Sequence, residues 1–252
     1  MSEIGNWFRS LPLFTRYWFG LSVIFPLAGR FGLLNPRYFI LDYAGFIHHF
    51  QFWKPITALF YYPLGPSTGF RYLMNLYFLY NYSIRLETGI FTGRPADYLF
   101  LLLFNWICIV IVSLLIDMML LMDSMIMTVV YIWCQLHKDV IVTFWFGIQL
   151  KAMYLPWVLF AFQFIMSGGG FDDLIGILVG HLYFFLMFKY PQDFGGRAFL
   201  QTPQILYKFF PNQRGMFAGF GQAPTPRRPG GDDENQPRRR YNWGQGHVLG
   251  GN

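Results

Sequence analysis

The run Asp172 to Tyr190, DDLIGILVGHLYFFLMFKY, has the length and apolarity of a membrane segment, and it limits what the rest of the chain can be. Two carboxylates open it, Lys189 closes it, and Gly176 and Gly180 stand four residues apart with His181 directly after them. Small residues at i and i+4 share one helix face and let a second helix approach closely. Helices associate in this way in lipid, where apolar burial gives little drive. The pattern predicts a buried central helix of a polytopic membrane protein. An ionisable residue inside such a segment raises a competing reading, a functional site at His181.

Composition agrees with a bilayer. At 54% hydrophobic, 21% aromatic and 13% charged, the 252 residues carry too little polar surface to cover a soluble globule. The net charge of +6 does not mark a nucleic-acid binder, because Arg and Lys gather at loop ends and in the tail and form no stripe interleaved with stacking aromatics. Cys108 and Cys134 lie inside apolar runs with no partner motif, so they read as small core residues. His48 and His49 are adjacent and would point about 100° apart on a helix, which disfavours a shared metal. No metal or cofactor is expected.

Along the chain, Ile4, Trp7, Phe8 and Leu11 form the apolar stripe of a short interfacial helix. A cleaved signal peptide is not expected, since Glu3 stands where a basic segment belongs. Spans are expected at Tyr17–Leu34, Tyr72–Ile84, Tyr98–Ile116, Met118–Leu136, Ala152–Met166 and Leu174–Phe188. Between the first two, Phe52, Trp53, Ile56, Leu59 and Phe60 recur at helical spacing and predict a second interfacial element, ended by the turn at Pro63 to Pro66. The fold class is therefore an all-α polytopic membrane protein with six transmembrane helices, interfacial helices and a tail.

Span length carries the most mechanistic signal. Between flanking charges only the third and fourth runs reach 19 residues, while the second has 13, between Arg71 and Arg85, and the sixth has 15. Thirteen residues cover roughly 20 Å against a hydrocarbon core of about 30 Å, so bilayer thinning or a protein surround must make up the difference. Asn75 and Asn81 in the short second span, with His181, are candidates for a polar groove, because amides in hydrocarbon need protein or water partners. Interhelical hydrogen bonding within the bundle is the alternative.

Six spans put both termini on one side. Taking that side as cytosolic leaves only Arg30, Arg37, Lys54 and Arg71 of the 19 basic residues opposite, as the positive-inside rule requires. Thr202 and Pro203 read as the cap and first residue of a short helix, QILYKFF. Residues 1–211 form the membrane domain. Residues 212–252, rich in Gly, Pro and Arg, form a disordered tail interrupted by MFAGFGQ and YNWGQGHVLGG.

An intramembrane protease of rhomboid type needs Ser within Gly-x-Ser-Gly on one helix and a His base on another. Ser124 and Thr128 are the hydroxyls of the fourth run, neither flanked by glycine. Asp173 stands where the base belongs, one turn before the first glycine of the packing pair, and His181 lies two turns further on. No catalytic residue is assigned. Asp117, Asp123, Asp172 and Asp173 crowd the far ends of their runs, at a depth where water solvates carboxylates.

WKPITALFYYPLGPSTGF, NLYFLYNYSIRLETGIFTGRPADYLFLLLFNWICIVI, LVGHLYFFLMFKYP and the terminal NWGQGHVLG resemble the Derlin family, the inactive branch of the rhomboid superfamily, over Met1 to about Pro211 and again at the C-terminus. The resemblance implies a rhomboid-like fold in the endoplasmic reticulum membrane, with no protease activity. The implied role is moving misfolded proteins to the cytosol in ER-associated degradation. Implied partners are those substrates, an ER membrane ubiquitin ligase complex, other Derlins in a homo- or hetero-oligomer, the lipid bilayer and the valosin-containing AAA+ ATPase. Trp243, Gly244, Gly246 and Leu249 match the family's ATPase-binding box, whereas MFAGFGQ lacks the Leu. Gly176 and Gly180 match the packing pair. The loop motif Trp-Arg stands here as Trp53-Lys54, which keeps the charge and loses the planar fork. The alternatives are an intramembrane serine protease or a carboxylate-lined transporter.

Overall fold

A computed structural model describes residues 3–47, 50–144, 147–167, 170–194 and 200–212. These belong to the first of two units, Met1–Arg214 and Gly215–Asn252. The tail box at Trp243, Gly244, Gly246 and Leu249, and the pair His48 and His49, lie outside the described residues.

Short α1 (Glu3–Ser10) leads into α2 (Leu13–Arg30). Pro26 sits inside α2 and has no N–H for the carbonyl of Ser22, one turn earlier. The Tyr72 hydroxyl donates to that carbonyl at 2.9 Å, so a neighbouring helix satisfies the freed acceptor. Trp7 of α1 stacks on Tyr80 and meets Phe19 edge-on, which ties the amphipathic helix to the bundle. After α3 (Tyr43–Ile47), α4 (Lys54–Phe60) has Pro55 in its first turn and buries Lys54, Pro55 and Ala58. Phe52, Trp53 and Ile56 stay exposed on the other side, the arrangement of an element lying in an interface.

α5 (Gly69–Arg85) continues without a break through a π-helical segment, Leu86–Ile90. The widened turn carries Glu87 to the start of α2, where it accepts from the Phe14 and Thr15 amides at 3.0 and 2.9 Å and from the Thr15 hydroxyl at 2.7 Å. A carboxylate there satisfies amides that a helix N-terminus leaves unpaired. The Thr15, Ser83 and Tyr98 hydroxyls extend this contact as a buried chain with links of 2.7 Å.

α6 (Pro95–Ile116) opens with proline at its first position and ends where Asp117 takes a left-handed conformation, φ 56°. Residues 118–121 then run non-helically, and the backbone amides of Leu41 and Leu121 bond to Met119 and Ala58 carbonyls respectively. The fourth helix, α7 (Met122–Leu136), therefore starts four residues later than the expected Met118 and has 15 residues.

A small antiparallel hairpin follows, β1 (Ile141–Thr143) with β2 (Gln149–Lys151), in the register Ile141 to Lys151 and Thr143 to Gln149. It corrects the all-α expectation: three consecutive β-branched residues favour extended backbone, and Val142 turns inward. Next come α8 (Leu155–Ser167) and α9 (Phe171–Phe184), the latter continued by a π segment, Phe185–Lys189, and α10 (Tyr190–Phe194). α11 (Gln204–Phe209) completes the described chain. Pro203 takes its cap position, and Thr202 does not cap it. The Thr202 and Tyr207 hydroxyls instead converge on Asp97 Oδ1 of α6 at 2.7 and 2.6 Å.

Two further corrections concern burial and length. The buried central helix is α7, with every residue from Met122 to Cys134 inside, while α9 exposes Phe171, Leu178 and Leu182. α5 and α9 also run past the charges that marked the ends of the second and sixth spans, because Arg71 and Asp173 face into the protein. Pro95–Ile116 and Phe171–Lys189 are long and apolar enough to cross a membrane. Met122–Leu136 and Ala152–Met166 are apolar but shorter.

Candidate functional site

The contact between α7 and α9 is the most extensive between helices, and glycine makes it possible. A Cβ on Gly176 would collide with the Ser124 carbonyl and come within 2.8 Å of Met127 Cβ. On Gly180 it would meet Tyr131 Cδ1 at 3.1 Å and the Thr128 carbonyl at 3.2 Å. The helices approach so closely that side-chain hydroxyls bond across to backbone. Ser124 Oγ donates to the Asp172 carbonyl at 2.6 Å, and Thr128 Oγ1 reaches the Gly176 carbonyl at 2.8 Å.

At one end of this seam lies a buried ionic cluster. Arg71 and Asn75 are one turn apart on α5, so their side chains share a face. Arg71 Nη2 lies 2.7 Å from Asp123 Oδ2 and 3.3 Å from Asp173 Oδ2, and Asn75 Nδ2 donates to Asp123 Oδ1. Both carboxylates sit in the first turn of a helix, α7 and α9, where the helix dipole favours negative charge. Asp123 is 3% exposed and Asp173 1%, which overturns the expectation that water solvates them. Asp117, by contrast, is exposed. A charge held this deep requires a partner, and Arg71 serves both.

The remaining sequence candidates disperse. Asn81 is half-buried and donates to the carbonyl of Tyr77 on its own helix, and His181 is exposed with Nδ1 2.6 Å from the Tyr131 hydroxyl. Asn75, Asn81 and His181 thus have separate partners and do not form one polar groove. Lys54 is buried and ion-paired to Asp42, whose other oxygen accepts from the Gly45 amide at 2.7 Å, while Trp53 is half exposed. A single carboxylate oxygen suffices for Lys54, so this contact does not need arginine's fork. Sequence reasoning missed Arg71 as the common partner, along with the anchoring roles of Glu87 and Asp97. The one available signal was the spacing of Arg71 and Asn75.

The chemistry open to this centre is restricted. Ser124 spends its proton on a carbonyl, and Thr128 also donates to backbone. Asp173 is held by the Arg71 guanidinium. Among the described residues, the imidazoles bond elsewhere, His137 to the Trp133 carbonyl and His181 to Tyr131. No cluster of three or more His, Cys, Asp or Glu positioned for a metal occurs among them either.

These features define a helical membrane protein whose polar centre is an ion-paired lock joining helices. The chain belongs to the Der1-like family, whose model matches residues 11–204. It is 60% identical to Derlin-1 of Bos taurus over 250 residues, 99% of each chain. Derlin-1 of Homo sapiens is 59% identical with the same coverage, and Derlin-1 of Caenorhabditis elegans is 44% identical over 99% of this chain and 100% of the relative.

Proposed function

We propose that this chain is a non-enzymatic factor that helps misfolded proteins leave the endoplasmic reticulum for the cytosol. In this reading six helices cross the ER membrane in a rhomboid-like arrangement, with both termini cytosolic. The observation that carries it is the state of the residues at the protease positions: the Ser124 hydroxyl is bonded to the Asp172 carbonyl, and Asp173 is ion-paired to Arg71. A hydrolase needs a free hydroxyl beside a free base. Membership of a family with Derlin-1 relatives supports the same reading.

Physical work on the membrane takes the place of covalent chemistry. α8, at 13 residues and with Trp157, Phe164 and Ile165 exposed, spans roughly 20 Å, less than a hydrocarbon core of about 30 Å, and lipid beside it must thin, whereas the equally short α7 is enclosed by protein. Thinner lipid lowers the barrier to moving polar chain across. The pull comes from the valosin-containing AAA+ ATPase, recruited through Trp243, Gly244, Gly246 and Leu249, and an ER ubiquitin ligase complex marks the emerging substrate.

The test replaces the endogenous protein with two variants and follows the half-life of a misfolded lumenal substrate. Ser124→Ala is expected to clear it at the normal rate without loss of any cleavage fragment. Deletion of residues 241–252 is expected to lose ATPase co-purification and slow clearance. A substrate fragment that disappears with Ser124→Ala, or ATPase binding that survives the deletion, would refute the corresponding half of the proposal.

A further inference from the structure

An apolar cavity of about 340 Å³ lies among α2, α4, α6 and α7, away from the ionic cluster. Met125 of the central helix lines it and is 2% exposed, while Tyr17, Ile56 and Leu103 line it and are 62%, 51% and 36% exposed, so they mark its mouth. Leu103 is followed on α6 by Ile107 and Ile111, at successive turns and also exposed, on a helix long enough to cross a membrane. The mouth therefore opens sideways, into lipid. Trp106 Nε1 donates to the Pro55 carbonyl at 3.0 Å, which pins the interfacial helix α4 to α6 beside the cavity.

We propose that this cavity holds one acyl chain of a phospholipid. Left empty, it would be an apolar void many times larger than folded proteins ordinarily keep. Water does not suit it. At ~30 Å³ each, about eleven molecules would be needed, and each requires two to four polar partners. The lining offers few: Trp106 Nε1 is already bonded, Trp18 Nε1 is itself buried, and Tyr17 stands on the rim. A helix from another chain is too wide, since one turn about 10 Å across and 5.4 Å long takes roughly 420 Å³. An extended peptide would bring backbone amides that this lining cannot satisfy. A methylene occupies about the volume of a water molecule, so the space takes roughly ten carbons, too few for the fused rings of a sterol and enough for most of an acyl chain. No Arg or Lys lines the cavity, so it selects hydrocarbon and not a headgroup.

The chain so held lies beside α4 and against the first turn of α7, where Met125 is two residues from Asp123. It gives the central helix, otherwise enclosed by protein, a direct contact with the bilayer. This inference rests on the protein's place in a membrane and not on the proposed role in retrotranslocation.

The experiment purifies the full chain in detergent, adds an equimolar amount of phosphatidylcholine carrying a diazirine within one acyl chain, irradiates, and maps the adducts by peptide mass spectrometry. Labelling is expected to concentrate on residues 14–21, 56–60 and 99–106, at about threefold or more the level on Leu73 and Tyr77, which are exposed on α5, because a chain in a pocket is touched on most of its surface and one on an open face on a single side. Leu102→Trp and Leu21→Phe, which fill the cavity, are each expected to lose that excess while eluting as wild type in gel filtration. Labelling no denser there than on Leu73 and Tyr77 would overturn the proposal, and the wild-type map alone decides this. So would an excess that survives in both filled variants, or cross-links from these residues to a second copy of the chain in place of lipid. Displacement by cholesterol but not by unlabelled phosphatidylcholine would also overturn it, assigning the site to a sterol.

Discussion

Replacing Gly176 by alanine should damage this protein far more than the same change at Gly180, although sequence presents the two as equivalent. At Gly176 the added methyl collides with the Ser124 carbonyl, a backbone atom that cannot rotate away, and lies 2.8 Å from Met127 Cβ. Relief of the Met127 contact alone to about 3.4 Å requires α7 and α9 to part by ~0.6 Å, the closer carbonyl clash requires more, and a gap of even ~0.6 Å forfeits about a quarter to a half of each dispersion contact. For roughly 50 atom contacts at about 0.15 kcal/mol each, the loss is about 2–4 kcal/mol. The bond from Thr128 to the Gly176 carbonyl, about 1 kcal/mol, is strained as well. At Gly180 the contacts at 3.1–3.3 Å need only a few tenths of an ångström, and the gain of about 1 kcal/mol in helix propensity offsets them. Thermal unfolding of the purified variants in one detergent checks the ratio, and cellular half-life checks its consequence. Gly176→Ala with wild-type stability, or Gly180→Ala the worse of the two, would refute the close-packing account.

Other substitutions probe the polar contacts. Arg71→Met strands two buried carboxylates and is expected to cost about 3–5 kcal/mol, read as a loss of folded protein in fluorescence-detected gel filtration. Glu87→Gln keeps the shape but removes the charge at the start of α2, and a loss of about 1–2 kcal/mol in the same assay is expected. Asp97→Ala removes the acceptor for Thr202 and Tyr207 and should free α11, so limited proteolysis should cut between residues 200 and 210 sooner than in wild type. Lys54→Arg should be tolerated within about 1 kcal/mol, since Asp42 is partly exposed and accepts either cation, whereas Lys54→Met should cost more.

The sequence by itself determined the environment, the mostly helical character and the closest contact. Long apolar runs with few charges admit only a bilayer, and glycines four apart on one face admit a neighbouring backbone whatever that neighbour is. The Derlin-like stretches placed the chain in its family. Tertiary structure decided the rest, because in lipid a buried face and a lipid-facing face are equally apolar, and periodicity cannot tell the central α7 from the partly exposed α9. The charges misled for a related reason. Arg71 and Asp173 read as ends of spans, where water would hold them. They are held by each other across 102 residues of chain, a pairing that local spacing does not encode. Only the fold brings α5, α7 and α9 together around Asp123, so the polar centre exists in no segment of the sequence taken alone.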